Sequence, residues 1–254
     1  MDKKIGQNFL KNTDIAGKIV KALELKKGEN VLEIGPGKGI LTRIVSRTNK
    51  ITGVELDKSL ELHIPNTDII YGNFLETELD GFDKIISNLP YDITEPFFVR
   101  LKSMRFKKGV FMIGENFYGI IKDRIGRMGN MIWAYFDVEH IMEVSKKEFY
   151  PQPKTRSDVI SVIPIPKQDI KESKRRFYRE IFDQDDKKLK NALREALTRI
   201  GMTKREAKED IGKHFLPTLD FSEKKVDMLS NSEMQRLDGC ITKAIKNKKI
   251  NISS

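Results

Sequence analysis

The chain of 254 residues is 39% hydrophobic and 33% charged, which suits one large α/β domain, alone or with a small second one. No run approaches the roughly 18 consecutive apolar residues of a membrane span, and the single Cys240 excludes an internal disulfide framework. The formal net charge of +10 favours polyanions as partners, nucleic acid first among them.

That charge is uneven. Residues 166–254 carry 22 basic and 15 acidic side chains, against 25 and 22 in residues 1–165. His63, His140, His214 and Cys240 show no ligand spacing, so no metal site is expected. The segment MDKKIGQNFLKN has no signal-peptide core, and a cytoplasmic protein is expected.

In chain order, TDIAGKIVKALEL predicts a helix capped by Thr13 or Asp14. NVLEIG (30–35), KITGVEL (50–56), TDIIYG (67–72) and FDKIIS (82–87) are short, apolar and bounded by Gly, Asn or Asp, as buried parallel strands are. Between the first two, GILTRIVSR places Ile40, Leu41, Ile44 and Val45 on one helical face. KGVFMIG (108–114), DVEHIMEV (137–144) and SDVISVIPI (157–165) are further strands, the last two a terminal hairpin. This alternation predicts a doubly wound α/β sheet over residues 1–166. Beyond Pro164 and Pro166 strand signals vanish. KESKRRFYREIF, KKLKNALREALTRI, TKREAKEDIGKHF and SNSEMQRLDGCITKAIKN predict a small all-helical domain over residues 167–254, ending in a disordered tail.

Three motifs point to chemistry. EIGPGKG (33–39) follows a strand and opens a helix, with glycines at 35, 37 and 39 that let the backbone turn sharply. Its spacing is neither GxGxxG nor a P-loop, and Glu55 ends the next strand, where a carboxylate can accept both ribose hydroxyls. A nucleoside cofactor without a pyrophosphate, S-adenosylmethionine, fits better than a structural turn. The Asn73-Phe74 pair could meet an adenine edge or be a polar turn with a core Phe.

The third motif is SNLPY (87–91). An exocyclic nucleobase amine is a poor nucleophile because its lone pair is delocalised into the ring. Two acceptors on its hydrogens, the Asn88 side-chain oxygen and the Leu89 carbonyl, would free that pair if Pro90 aims both the same way. Tyr91 can stack on the extruded base.

GQNFL (6–10), EIGPGKG, GVELD (53–57) and NLPY (88–91), in this order, resemble the KsgA-like small-subunit rRNA adenine dimethyltransferases. The related macrolide-resistance Erm methylases share much of the set. FYPQPKTRSDVISV (149–162) and FDQDDKKLKNAL (182–193) are similar to two further segments of that family, although Thr155 replaces the usual Val. The resemblance implies a Rossmann-like methyltransferase domain, a helical domain for RNA or ribosome contact, S-adenosylmethionine as donor, and rRNA of a small ribosomal subunit or its precursor as partner. A monomer of archaeal type is expected. By position it implies that Asn8, Leu10, Gly35, Gly37, Glu55, Asn73 and Asn88 line the cofactor site. Asn88, Leu89, Pro90 and Tyr91 would form the catalytic grip, with Phe149 or Tyr150 beside the base.

Departures from the family pattern are Asn73 for Asp, Gly114-Glu115-Asn116 for Gln-Lys-Glu, and Asp185 and Asp186 where two arginines are common. Arg175, Arg176, Lys187, Lys188 and Lys190 could compensate for the last. An Erm-like large-subunit enzyme, a non-catalytic RNA-binding assembly factor and a DNA adenine methylase are the competing readings. Intact NLPY and Glu55 argue against the assembly factor.

Overall fold

The computed structural model describes residues 8–246; Gly6, Gln7 and nearly all of the tail lie outside them. The described residues form two compact units: residues 8–118 with 136–164, and residues 119–135 with 165–246.

The first unit holds strands β1 (Phe9–Leu10), β2 (Val31–Ile34), β3 (Ile51–Glu55), β4 (Thr67–Tyr71), β5 (Lys84–Asn88), β6 (Lys108–Gly114), β7 (Phe136–Val144), β8 (Phe149–Tyr150) and β9 (Ser157–Pro164). Its helices are α1 (Thr13–Ala22), α2 (Thr42–Val45) and α3 (Thr94–Leu101), and α4 (Glu115–Lys122) starts in it and ends in the second unit. The main sheet runs β4-β3-β2-β5-β6-β9-β7. Its first five strands are parallel, and β9 pairs antiparallel with both β6 and β7. The expected hairpin is therefore present, with its second strand inserted against β6.

Burial explains the strand sequences. Every residue of VLEI in β2 is buried, because both faces of a parallel sheet are covered, whereas edge strand β4 stays half-exposed. One face packs on α1 through Leu10, Ile19, Leu23, Val31, Ile86 and Val110. An aromatic cluster adds Phe97, whose ring centroid lies 5.5 Å from that of Phe74 and 4.9 Å from that of Phe111. Such edge-on and tilted pairs add to plain area burial.

Helix α1 corrects the expected cap. The Oδ1 of Asn12 accepts from the amides of Asp14 and Ile15, at 3.0 and 3.2 Å, from extended backbone. Asn caps as well as Asp or Thr, and here it stands one residue earlier. The GILTRIVSR helix is regular only over α2, with Leu41 and Val45 buried and Ile40 and Ile44 half-buried.

The second unit contains α5 (Gly126–Tyr135), α6 (Ser173–Phe182), α7 (Leu189–Arg199), α8 (Lys204–Asp210) and α9 (Asn231–Lys246). Thr203 and Glu206 form a reciprocal capping box at α8. The Trp133 ring lies against Tyr178 and beneath the Arg124 guanidinium, which is 3.5 Å from its centroid.

Candidate active site

The order of the main sheet reverses direction between β2 and β5, each being the other's neighbour with β3 on one side and β6 on the other. Open parallel sheets bind ligands at such a switch point, beyond the carboxyl ends of the strands. The motifs leave the strands there: the glycine loop after β2, Glu55 at the end of β3, Asn73 after β4, and Asn88 to Tyr91 from β5. They enclose a cavity of about 340 Å³.

The predicted residues Asn8, Leu10, Gly35, Gly37, Glu55, Asn73, Asn88, Leu89, Pro90 and Tyr91 all line it, as do Glu33 and Phe149. Asn8 and Leu10 reach it because β1 pairs antiparallel with β8, Leu10 opposite Phe149. Tyr150, by contrast, is 67% exposed and faces a neighbouring hollow.

Gly37 has φ +55, and a Cβ there would come within 2.9 Å of the Phe9 ring. Both conformation and space demand glycine. Its amide donates to Glu55 Oε2 at 2.9 Å, while the Asp57 amide donates to Oε1 at 2.9 Å. Glu55 is 2% exposed, so it shapes the loop as well as presenting lone pairs to a ribose. Glu55→Ala would strand both amides, and a buried unpaired donor costs about 1–3 kcal/mol. The expected result is a lower Tm and about tenfold or greater weakening of cofactor affinity by calorimetry. Unchanged affinity would remove Glu55 from the cofactor site.

Asn73 accepts from the Leu75 amide at 3.0 Å through Oδ1 and donates to Glu76 Oε1 at 2.9 Å. The amide closes its own turn, which leaves one lone pair of its oxygen for a ligand. Phe74 is both wall and core: 5% exposed, with the Arg100 guanidinium 4.4 Å from its centroid.

Asn88 Nδ2 donates to the Asn8 carbonyl at 2.9 Å. A carbonyl can only accept, so the partner fixes the amide orientation and leaves Oδ1 as the free acceptor. The Leu89 amide donates to Met112 O at 3.0 Å, and Pro90 follows at φ −57, so this peptide is held on both sides. The Tyr91 hydroxyl shares a 2.8 Å hydrogen bond with the fully buried Ser157. One edge of its ring faces Gly114, where a Cβ would sit 3.4 Å away. The glycine at position 114 thus leaves the flank of Tyr91 bare.

Glu33 carried no role in the sequence reading beyond opening its motif. It is 2% exposed and its Oε2 accepts from Thr42 Oγ1 at 2.6 Å. Burial pushes its carboxyl up to about 7, with the nearby Glu55 charge adding to the rise and the Thr42 bond opposing it. An acid inside an otherwise apolar strand was the available signal.

In the second unit, the lysines proposed to offset Asp185 and Asp186 are engaged within the fold, and Arg175 lies 5.0 Å from the centroid of the Trp133 ring. Lys187 pairs with Glu195 at 2.8 Å, and Lys188 and Lys190 both pair with Glu223. Arg194, Lys204 and Lys208 instead line a cleft of about 580 Å³. Among the described residues no helix is long and apolar enough to cross a membrane. No group of three or more His, Cys, Asp or Glu side chains there is placed to hold a metal.

The cavity fits S-adenosylmethionine by its chemistry: two buried carboxylates, Glu33 and Glu55, suit a cationic ligand, and the glycine loop lacks the Lys-Ser/Thr of a phosphate cradle. Fold and site together define a Rossmann-like, S-adenosylmethionine-dependent methyltransferase with a helical C-terminal region. The chain belongs to the ribosomal RNA adenine dimethylase family, whose model matches residues 1–214.

A "probable ribosomal RNA small subunit methyltransferase A" of Pyrococcus furiosus is 32% identical over 247 residues, covering 92% of this chain and 90% of that one. The protein of the same description from Methanococcus aeolicus is 32% identical over 268 residues, covering 98% and 99%. Among solved structures, a dimethyladenosine transferase from Plasmodium falciparum superposes with TM-score 0.62 at 22% identity, covering 95% of this chain and 98% of that one. The 23S rRNA methyltransferase ErmE superposes with TM-score 0.60 at 20% identity, covering 92% and 100%. These two likenesses bear on the fold.

Proposed function

We propose that this enzyme dimethylates N6 of adjacent adenines near the 3′ end of small-subunit rRNA during ribosome assembly, acting as a cytoplasmic monomer on the subunit or its precursor. The descriptions of the Pyrococcus and Methanococcus relatives support the choice of subunit. The observation that carries the chemistry is the orientation of Asn88, pinned through Nδ2 so that Oδ1 remains for a substrate amine.

When bound, S-adenosylmethionine supplies a methyl group already activated by its sulfonium, so the protein needs no strong base. Asn88 Oδ1 and the Leu89 carbonyl accept hydrogen bonds from the two hydrogens of the adenine amine and draw its nitrogen towards tetrahedral geometry. The one proton displaced as the nitrogen gains the methyl group leaves to solvent. Tyr91, tethered to Ser157, offers a fixed face to the extruded base. Phe149, at 2% exposure, backs this wall from β8. In the second unit the cleft of Arg194, Lys204 and Lys208 supplies cations for rRNA phosphates.

The test is methyl transfer from labelled S-adenosylmethionine to small and large subunits lacking these modifications, with mass spectrometry of the RNA. Dimethyladenosine near the small-subunit 3′ end is expected. Label confined to the large subunit would make the enzyme Erm-like, and absence of label with intact subunit binding would make it an assembly factor.

A further inference from the structure

Next to the methyl-transfer cavity lies a larger hollow of about 680 Å³. The two share Phe9, Leu10, Lys38 and Ile40. Lys11, Lys38, Arg43 and Arg47 line the hollow and no carboxylate does. All four are exposed, and among the described residues none is paired with an acid. Elsewhere in the same unit Lys50, Lys107 and Lys108 each hold a carboxylate within 2.9 Å. The nearby Glu148 is engaged by Asn12 Nδ2 at 2.9 Å. Arg43 and Arg47 stand four residues apart around the turn that ends α2, a spacing at which like charges repel unless an anion lies between them.

Two further features suit a polynucleotide. Tyr150, 67% exposed, and Phe9, whose ring lies 5.0 Å from Lys38 Nζ, put aromatic faces among the cations, the combination that holds single strands. The wall on α1 is Thr13 and Gly17, and at Gly17 an added Cβ would meet nothing within 4 Å. Packing does not require glycine there, and its lack of a side chain keeps the hollow open.

We propose that this hollow binds the sugar–phosphate backbone of single-stranded RNA flanking the target adenine. Arg43, Arg47, Lys11 and Lys38 face the phosphates, and Tyr150 stacks on a neighbouring base. The proposal rests on the reading that the adjacent cavity receives an adenine from RNA.

The test uses the full chain, a short fluorescein-labelled adenine-rich RNA for binding, and unmodified small subunits for methyl transfer. Arg43→Gln combined with Arg47→Gln removes two phosphate contacts without adding charge. The slope of log affinity against log salt should shrink by about 1.4, at about 0.7 per single-strand contact. KM for subunits should rise about tenfold, with S-adenosylmethionine affinity unaltered. Gly17→Glu, which adds a carboxylate where space is free, should weaken RNA binding likewise while melting as a folded protein. Lys21→Gln on the same helix, outside the hollow, serves as the charge control. Wild-type affinity and slope in both variants, with subunits still methylated, would overturn the proposal and leave the enzymatic reading standing. Weakened RNA binding in the variants, with no methylation by the wild type, would keep the hollow as an RNA site and remove that reading instead.

Discussion

Asn88→Ala is expected to lower kcat on unmodified small subunits by about 10²–10³-fold, the usual loss when one preorganised polar group is removed from a reacting centre. The expectation follows from how the side chain is held. Its Nδ2 bond to Asn8 fixes Oδ1 before substrate arrives, so no reorganisation is needed at the moment of transfer. The variant loses that acceptor and one neutral hydrogen bond, worth about 1 kcal/mol of stability, and should still fold. S-adenosylmethionine affinity by calorimetry should stay within about threefold of wild type, since a loss confined to the transition state leaves ground-state binding alone. Asn88→Asp keeps acceptors but cannot donate to the Asn8 carbonyl, so it should fall between the two. Normal turnover in Asn88→Ala would show that the amine is gripped elsewhere.

The grip was readable because its parts are local: N-L-P-Y at the end of an apolar run places acceptors, a rigid turn and an aromatic within four residues. The parallel strands were readable for a related reason, since full burial on both faces writes itself as continuous apolar sequence. Features that depend on distant partners were not. The two-residue strands β1 and β8 exist only through each other, and no periodicity marks them. Helix α5 carries Gly126 and Gly129, poor helix formers. Gly129 is there because a Cβ would come 2.5 Å from the Ile120 carbonyl oxygen, a packing demand invisible in one dimension. Lys187, Lys188 and Lys190 read as RNA-facing charge until the folded chain brings Glu195 and Glu223 to them. The Asn73-Phe74 pair, by contrast, is local and read either as an adenine contact or as a polar turn with a core Phe; the turn is there, closed by Asn73 on the Leu75 amide, and Phe74 is buried.

Glu33 gives the second large effect, a pH dependence of the cofactor-free protein. On β2 it stands beside Gly53 of β3 and Ile86 of β5, so no cation flanks it in the sheet; the nearby polar groups are Thr42 and the second carboxylate, Glu55. Its carboxyl rises from the ordinary 4.5 to about 7. The folded form therefore holds this proton more tightly than the unfolded chain. The resulting stability is fully present below about pH 4.5 and is lost as pH climbs through about 7. At about 1.4 kcal/mol per tenfold change in proton affinity, the loss is on the order of 3 kcal/mol. Tm of the free protein should fall between pH 5 and pH 8 by several degrees. Glu33→Gln, whose amide oxygen can still accept from Thr42, should flatten that segment and melt above wild type at pH 8. A cationic cofactor reverses the preference, because it favours the ionised carboxylate. Titrating S-adenosylmethionine near pH 7 in buffers of different ionisation enthalpy should then reveal proton release from wild type and much less from Glu33→Gln. Equal proton release from the two proteins would mean that Glu33 is already ionised before the cofactor arrives, and that its burial does not hold the proton.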